Sequence, residues 1–159
     1  MSQVILIGTT HSIQKDLNRD DFLGFINETI TKHKVVSIGE EINPVTTLAS
    51  NAAKDFKIEY KIIEPNEQER EFLGVKNLAK IENEIIWKFG GLNSSEAIKE
   101  CEKRKQHSFR LRENEWLKRI RLNQKTPILI ICGSSHVEPF SKLLEKNNFD
   151  VTVESKCWE

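Results

Sequence analysis

No stretch of this sequence stays apolar for the roughly 18–20 residues that a helix needs to cross a bilayer. The opening run from Met1 to Gly8 also lacks the basic start and cleavage site of a secretory signal. A membrane is therefore not expected among the partners, and a cytoplasmic location is. Cysteine is scarce: Cys101, Cys132 and Cys157 are odd in number and show no Cys-x-x-Cys spacing, which argues against a disulfide framework and for a reducing compartment. Net charge is missing as well, because 24 Lys and Arg balance 24 Asp and Glu. Without a basic footprint, nucleic acid is not an expected partner. There is no G-x-G-x-x-G, no Walker A sequence, no repeat at a solenoid period and no low-complexity stretch.

What is present fits one domain over residues 1–159. Hydrophobic residues make up 38% of the chain and charged residues 30%, the profile of a thin sheet covered by charged helices. The continuous apolar run at residues 4–7 has the pattern of a strand buried on both faces, residues 35–38 read as a second buried strand, 58–63 as a third strand, 128–132 as a fourth and 151–153 as a short edge strand. The first, second and fourth runs are closed by Gly8, Gly39 and Gly133, the third by Pro65. Helical spacing follows Asp20 and Asp21, either of which can cap, and follows Pro44, which suits a first helical turn. It returns from Val137 onward, with Phe140, Leu143 and Leu144 on one side. Residues 67–122 have no strand-like run and read as two or more charged helices broken at Gly90-Gly91, with Ser94 or Ser95 capping the last. Trp87 and Phe89 in this segment read as helix packing, and His33 and His107 as incidental. The predicted fold is α/β: a mostly parallel sheet of about four or five strands flanked by helices, with a long charged helical insertion before the last βαβ unit.

In such a sheet, ligands bind at the carboxyl ends of the strands. Strand one ends in Gly8-Thr9-Thr10-His11, strand two in Gly39-Glu40-Glu41, strand three in Glu64, and strand four in Gly133-Ser134-Ser135-His136. The fold therefore gathers two histidines, up to three carboxylates and four hydroxyls on one edge. Imidazoles with one or two carboxylates suit a divalent metal such as Mn, Zn, Co or Fe, with positions left for water and substrate. Adjacent acids on an extended segment point to opposite faces, so one of Glu40 and Glu41 enters the site. Glu64 either joins it or caps the following helix. Arg112 and Glu115, three apart, either form a surface pair or direct the arginine at a substrate carboxylate or phosphate.

Gly8-Thr9-Thr10-His11 and Gly133-Ser134-Ser135-His136 resemble the paired G-x-x-H motifs of the TraB/TIKI family, which includes metalloproteases. The acid at Glu40 or Glu41, Glu64 with Arg70, and the run Arg112-Glu113-Asn114-Glu115-Trp116 resemble further shared elements, in the same order along nearly the whole chain. Erythromycin-esterase-like and ChaN-like proteins are similar more loosely. The resemblance implies a metal held by His11, a strand-two glutamate (Glu41 in the set adopted here) and His136, and hydrolysis of a peptide, amide or ester bond. In that reading Glu40, Glu41 and Arg112 are catalytic, while Thr10, Gln14, Glu64, Arg70, Ser134 and Ser135 contact a small-molecule or peptide substrate. Two other roles are open at this point: a non-catalytic module that binds an anion in the same pocket, and a homodimer formed through the charged helical segment.

Overall fold

The computed structural model describes residues 1–123 and 125–159. Five strands, β1 (Gln3–Thr9), β2 (Ser37–Glu40), β3 (Glu59–Ile62), β4 (Ile128–Gly133) and β5 (Asp150–Ser155), form one sheet in the order β3-β2-β4-β1-β5. Every neighbouring pair is parallel. Helices α1 (His11–Lys15), α2 (Asp20–His33), α3 (Leu48–Phe56), α4 (Glu67–Leu73), α5 (Leu78–Phe89), α6 (Ser95–Asn123) and α7 (Ser134–Lys146) complete the described elements. The α/β architecture with a long helix ahead of the last strands is the one the sequence predicts. None of these helices is long and apolar enough to cross a membrane, among the described residues.

The chain divides into two compact units, Met1–Glu64 with Trp116–Glu159, and Pro65–Glu115. In the first unit the strand period of two sorts the core onto two faces. Ile5, Ile7, Leu129 and Ile131 pack with Phe22, Ile26 and Ile30 of α2 and with Leu48, Ala49 and Ala52 of α3. Val4, Leu6, Ile128, Ile130 and Cys132 pack with Val137, Phe140 and Leu144 of α7 and with Trp116, Leu117 and Ile120. Both faces of β1 and β4 are thus buried, which is why these strands read as unbroken apolar runs. The second unit comprises α4, α5 and the first part of α6, with a small core of Ile81, Ile85 and Ala97.

Several local expectations need correction. Gly8 and Gly39 lie inside β1 and β2 and do not close them. Gly8 serves close approach instead: a Cβ there would sit 2.1 Å from the Lys156 carbonyl oxygen and 2.5 Å from Val137 Cγ2. Helix α3 starts at Leu48, after Pro44, because Thr47 caps it in a capping box with Ser50. Asp20 and Asp21 are first-turn acids of α2, not its cap. Trp87 is 90% exposed and packs in no core, although Phe89 does pack against Ile81, Ile85 and Ala97. His33 ends α2 and pairs with Glu154 across 2.9 Å.

Candidate functional site

The carboxyl ends of β1, β4 and β2 meet in register. Thr9 is opposite Gly133, and Glu40 is opposite Ile131. The chain leaves each strand at nearly the same level, so the residues that follow converge. The two G-x-x-H segments do so in different ways. Thr10 caps α1 and His11 is its first residue, whereas Gly133 caps α7 and His136 is its third. His11 is consequently half exposed, with 48% of its side chain accessible, and His136 is buried at 4%.

Glu41 stands between them. Its backbone N–H extends the ladder to the Ile131 carbonyl at 2.9 Å. The Gly133 N–H at the start of α7 donates to its Oε1 at 2.7 Å. Oε2 is thereby turned toward both rings, 3.7 Å from His11 Nε2 and 3.8 Å from His136 Nε2. A helix start is a favourable place for a carboxylate, and the short N–H bond fixes its rotation. A Cβ at Gly133 would come within 3.3 Å of that same carboxylate, so a side chain there would have to displace it by a few tenths of an ångström.

Glu40 points elsewhere. It is fully buried and accepts hydrogen bonds from the Thr47 hydroxyl at 2.7 Å, the Tyr60 hydroxyl at 2.5 Å and Gln14 Nε2 at 3.0 Å. Burial pushes its pKa up, and the three donors only partly oppose that. The Tyr60 phenol is raised far above its ordinary range, first by burial and then by the carboxylate it faces.

Gln14 joins the two acids to His11. Its Nε2 also donates to the Glu41 backbone carbonyl at 3.2 Å, and a backbone carbonyl can only accept. The amide nitrogen therefore faces the acids, and Oε1 lies 2.7 Å from His11 Nδ1. His11 must carry its proton on Nδ1, which leaves the Nε2 lone pair directed at the Glu41 carboxylate. Two acceptors face one another there, an arrangement that calls for a cation or a proton between them.

Glu64 and Trp116 stand behind His136. The indole N–H of Trp116 donates to Glu64 Oε2 at 3.0 Å, and its ring meets the His136 ring edge-on with centroids 4.9 Å apart. Arg119 donates to the Glu64 carbonyl at 3.3 Å. Helix α4 is capped by Asn66 and not by Glu64. Thr10 is exposed and spends its hydroxyl on α1. Ser134 and Ser135 form the first turn of α7, half-buried and exposed. Gln14, read from the sequence as a substrate contact, is buried and committed to His11 and the two acids. Arg70 and Arg112 belong to the helical unit, where both line a cavity of about 610 Å³.

Tyr60, Thr47 and Trp116 are the supporting residues that sequence reasoning did not assign to the site. Thr47 was accessible as a cap ahead of Leu48 and Ala49. A lone tyrosine in an edge strand gives no comparable signal.

The fit to a metal ion has a definite measure. Three ligands of a tetrahedral ion at about 2.1 Å stand about 3.4 Å apart. The two nitrogen–oxygen separations at Glu41 exceed this by a few tenths of an ångström. No group of three His, Cys, Asp or Glu among the described residues is disposed as a ready-made metal site. Closure around an ion would require both gaps to shorten, that of the half-exposed His11 and that of the buried His136.

No protein-family model, no curated protein and no solved structure matches this chain.

Proposed function

We propose that the strand-end site is that of a metal-dependent hydrolase of TraB/TIKI type, acting on a peptide, amide or ester bond. The observation that carries this reading is the pair of ring nitrogens facing one carboxylate oxygen, with the His11 lone pair aimed at that oxygen by Gln14. His11 Nε2, Glu41 Oε2 and His136 Nε2 are the atoms that would hold a divalent cation. Such a cation, when bound, polarises a carbonyl and makes water more acidic. The chain's own residues set the frame. Gly133 holds the Glu41 carboxylate, Trp116 packs against the His136 ring, and Gln14 keeps the His11 proton on Nδ1. Glu40 is held by three donors, so its part is to orient Gln14 and not to take a proton from water. His11, half exposed, is the member of the set nearest solvent and so the one a substrate meets first.

The test is loading followed by turnover. Protein stripped with chelator is titrated calorimetrically with Zn, Mn and Co, and with Fe(II) under anaerobic conditions. One ion per chain is expected, lost in His11→Ala, Glu41→Gln and His136→Ala. The loaded protein is then assayed on fluorogenic ester and peptide substrates. Failure of all four ions to bind stoichiometrically overturns the reading. Stoichiometric binding without turnover on any substrate leaves a binding module and removes the hydrolase.

A further inference from the structure

Helix α1, which begins with His11, is too short to hold itself. Its five residues fall well below the roughly 12–15 that an isolated helix needs in water. Its position therefore comes from what grips it. On its inner side, Ile13 packs against the buried cluster shared by β1, α2 and α3, and Gln14 is hydrogen-bonded to Glu40 and Glu41. Beyond that, both ends of the stretch that carries α1 are tied to one residue, Trp158.

On the entry side, Trp158 N–H donates to the Gly8 carbonyl at 2.7 Å, and the buried Thr9 hydroxyl donates to the Trp158 carbonyl at 2.8 Å. The Lys156 carbonyl fills the space where Gly8 has no Cβ. On the exit side, the Arg19 guanidinium stands 5.2 Å from the centre of the Trp158 ring, within the range of a cation–π contact, and two hydrogen bonds to Asp21 hold it there. The ring itself packs on Phe22 and Phe25. Pairing of β5 with β1 does not require any of this, since that ladder ends with Ser155 opposite Ile7. The segment is anchored at its other end too. Glu154 pairs with Lys32 at 2.8 Å and His33 at 2.9 Å in the last turn of α2, whereas Phe22 lies in the first. Residues 154–158 thus run along α2 and are clamped to both of its ends.

We propose that Trp158 is a positioning residue for His11, and that residues 156–158 form a strap whose release frees α1 and disperses the strand-end site. The proposal rests on the reading of His11, Glu41 and His136 as metal ligands. With the strap seated, His11 keeps the Gln14 bond that places its proton on Nδ1 and its lone pair toward Glu41. With the strap released, the ring returns to the tautomer mixture of a solvated imidazole. His136 takes its place from α7 and Trp116 instead and stays where it is.

The test reads the two histidines separately. Long-range nitrogen-15 spectra of the full chain are recorded without metal at about pH 8.5, where an ordinary imidazole is neutral. In the parent, His11 is expected as the Nδ1–H tautomer. Trp158→Ala lowers the ratio of that tautomer to the Nε2–H form about tenfold and leaves the His136 ring as in the parent. Trp158→Phe keeps an aromatic ring against Phe22 and retains most of the ratio. Thr9→Val removes one hydrogen bond, lowers the ratio about fivefold, and decides the matter if Trp158→Ala does not fold. Leu144→Ala, in the core of the opposite sheet face, lowers the melting temperature and leaves the His11 ratio unchanged. Zn, Mn, Co and Fe(II) are then titrated calorimetrically, and affinity is expected to fall about tenfold in Trp158→Ala. An unchanged His11 ratio in Trp158→Ala, or in Thr9→Val should the first not fold, overturns the proposal. So does an equal fall in Leu144→Ala, which would make any loss of stability sufficient, and so does parental metal affinity in Trp158→Ala. A parent that binds none of the four ions removes the metal-centre reading instead and leaves the strap to be judged on the His11 ring.

Discussion

At the scale of single residues, the most informative side chain in the first unit is Glu40. It does not face the histidines, yet it dictates how one of them is protonated. Thr47 and Tyr60 donate to one of its oxygens and Gln14 to the other. In Glu40→Gln the new amide oxygen has to take the two hydroxyls, which turns an NH2 toward Gln14. The new NH2 then favours rotation of Gln14, against the hold of the Glu41 backbone carbonyl on its present orientation, and rotation presents its own NH2 to His11 Nδ1 and moves the imidazole proton to Nε2. Nitrogen-15 shifts of the His11 ring are expected to exchange between the two positions, and metal affinity to fall by about 10–100-fold, the usual cost of losing such a supporting bond. Unchanged shifts would break the chain of orientation argued above. The same residue supplies a pH signature. Its folded-state pKa is raised by burial, so the folded chain binds an extra proton between the ordinary carboxylate range and that raised value. Stability contributed at low pH is lost as pH climbs through this window. Glu40→Gln lacks the titration, so its melting temperature gains on the parent as pH rises; a gap that is constant with pH contradicts the burial argument.

At the scale of elements, the carboxyl end of β1 is packed from three sides. Thr9 donates its hydroxyl to the Trp158 carbonyl at 2.8 Å, and Trp158 N–H donates to the Gly8 carbonyl at 2.7 Å. The Trp158 ring packs on Phe22 at 4.7 Å and on Phe25 at 6.0 Å. Residues beyond β5 thus lie across the strand that delivers His11. Gly8→Ala would drive a methyl into the Lys156 carbonyl and Val137, and a loss on the order of 3 kcal/mol is expected. Chemical denaturation measures it. A loss below about 0.5 kcal/mol would mean that this segment moves aside freely. The elements also show what the sequence could reveal. Strands buried on both faces announce themselves as apolar runs, as β1 and β4 do, whereas β3 alternates exposed and half-buried residues at the sheet edge and was readable only as a strand. Gly8 looked like a turn because composition cannot distinguish a glycine needed for φ from one needed for space. The position of two histidines and an acid pair at the strand ends was readable from the motifs, but which of Glu40 and Glu41 faces the rings was not. The Gln14–Glu40–Tyr60 chain was not, since it joins residues 26 and 20 apart through side chains whose directions exist only after folding.

At the scale of the whole molecule, the two units have unequal cores. The sheet unit buries an apolar cluster on each face, whereas the helical unit relies on Ile81, Ile85 and Ala97 with a few half-buried neighbours. Because hydrophobic stabilisation scales with apolar area removed from water, the helical unit is expected to open at lower free energy than the central strands. Native-state hydrogen exchange measures this directly: amides of β1 and β4 should be the last to exchange, and those of α4 and α5 should exchange well before global unfolding. Metal loading then separates the two further. A ligand held only by the folded sheet unit, at about one hundred times its dissociation constant, adds about 2.7 kcal/mol. At about 2–4 °C per kcal/mol for a chain of this size, that is roughly 5–11 °C in melting temperature. The added protection should fall on amides of β1, β2 and β4 and leave those of α4 and α5 unchanged, and His136→Ala should show none of it. Protection that rises equally in both units would mean that they unfold as one cooperative body, and protection that rises only in α4 and α5 would place the ion outside the strand-end site.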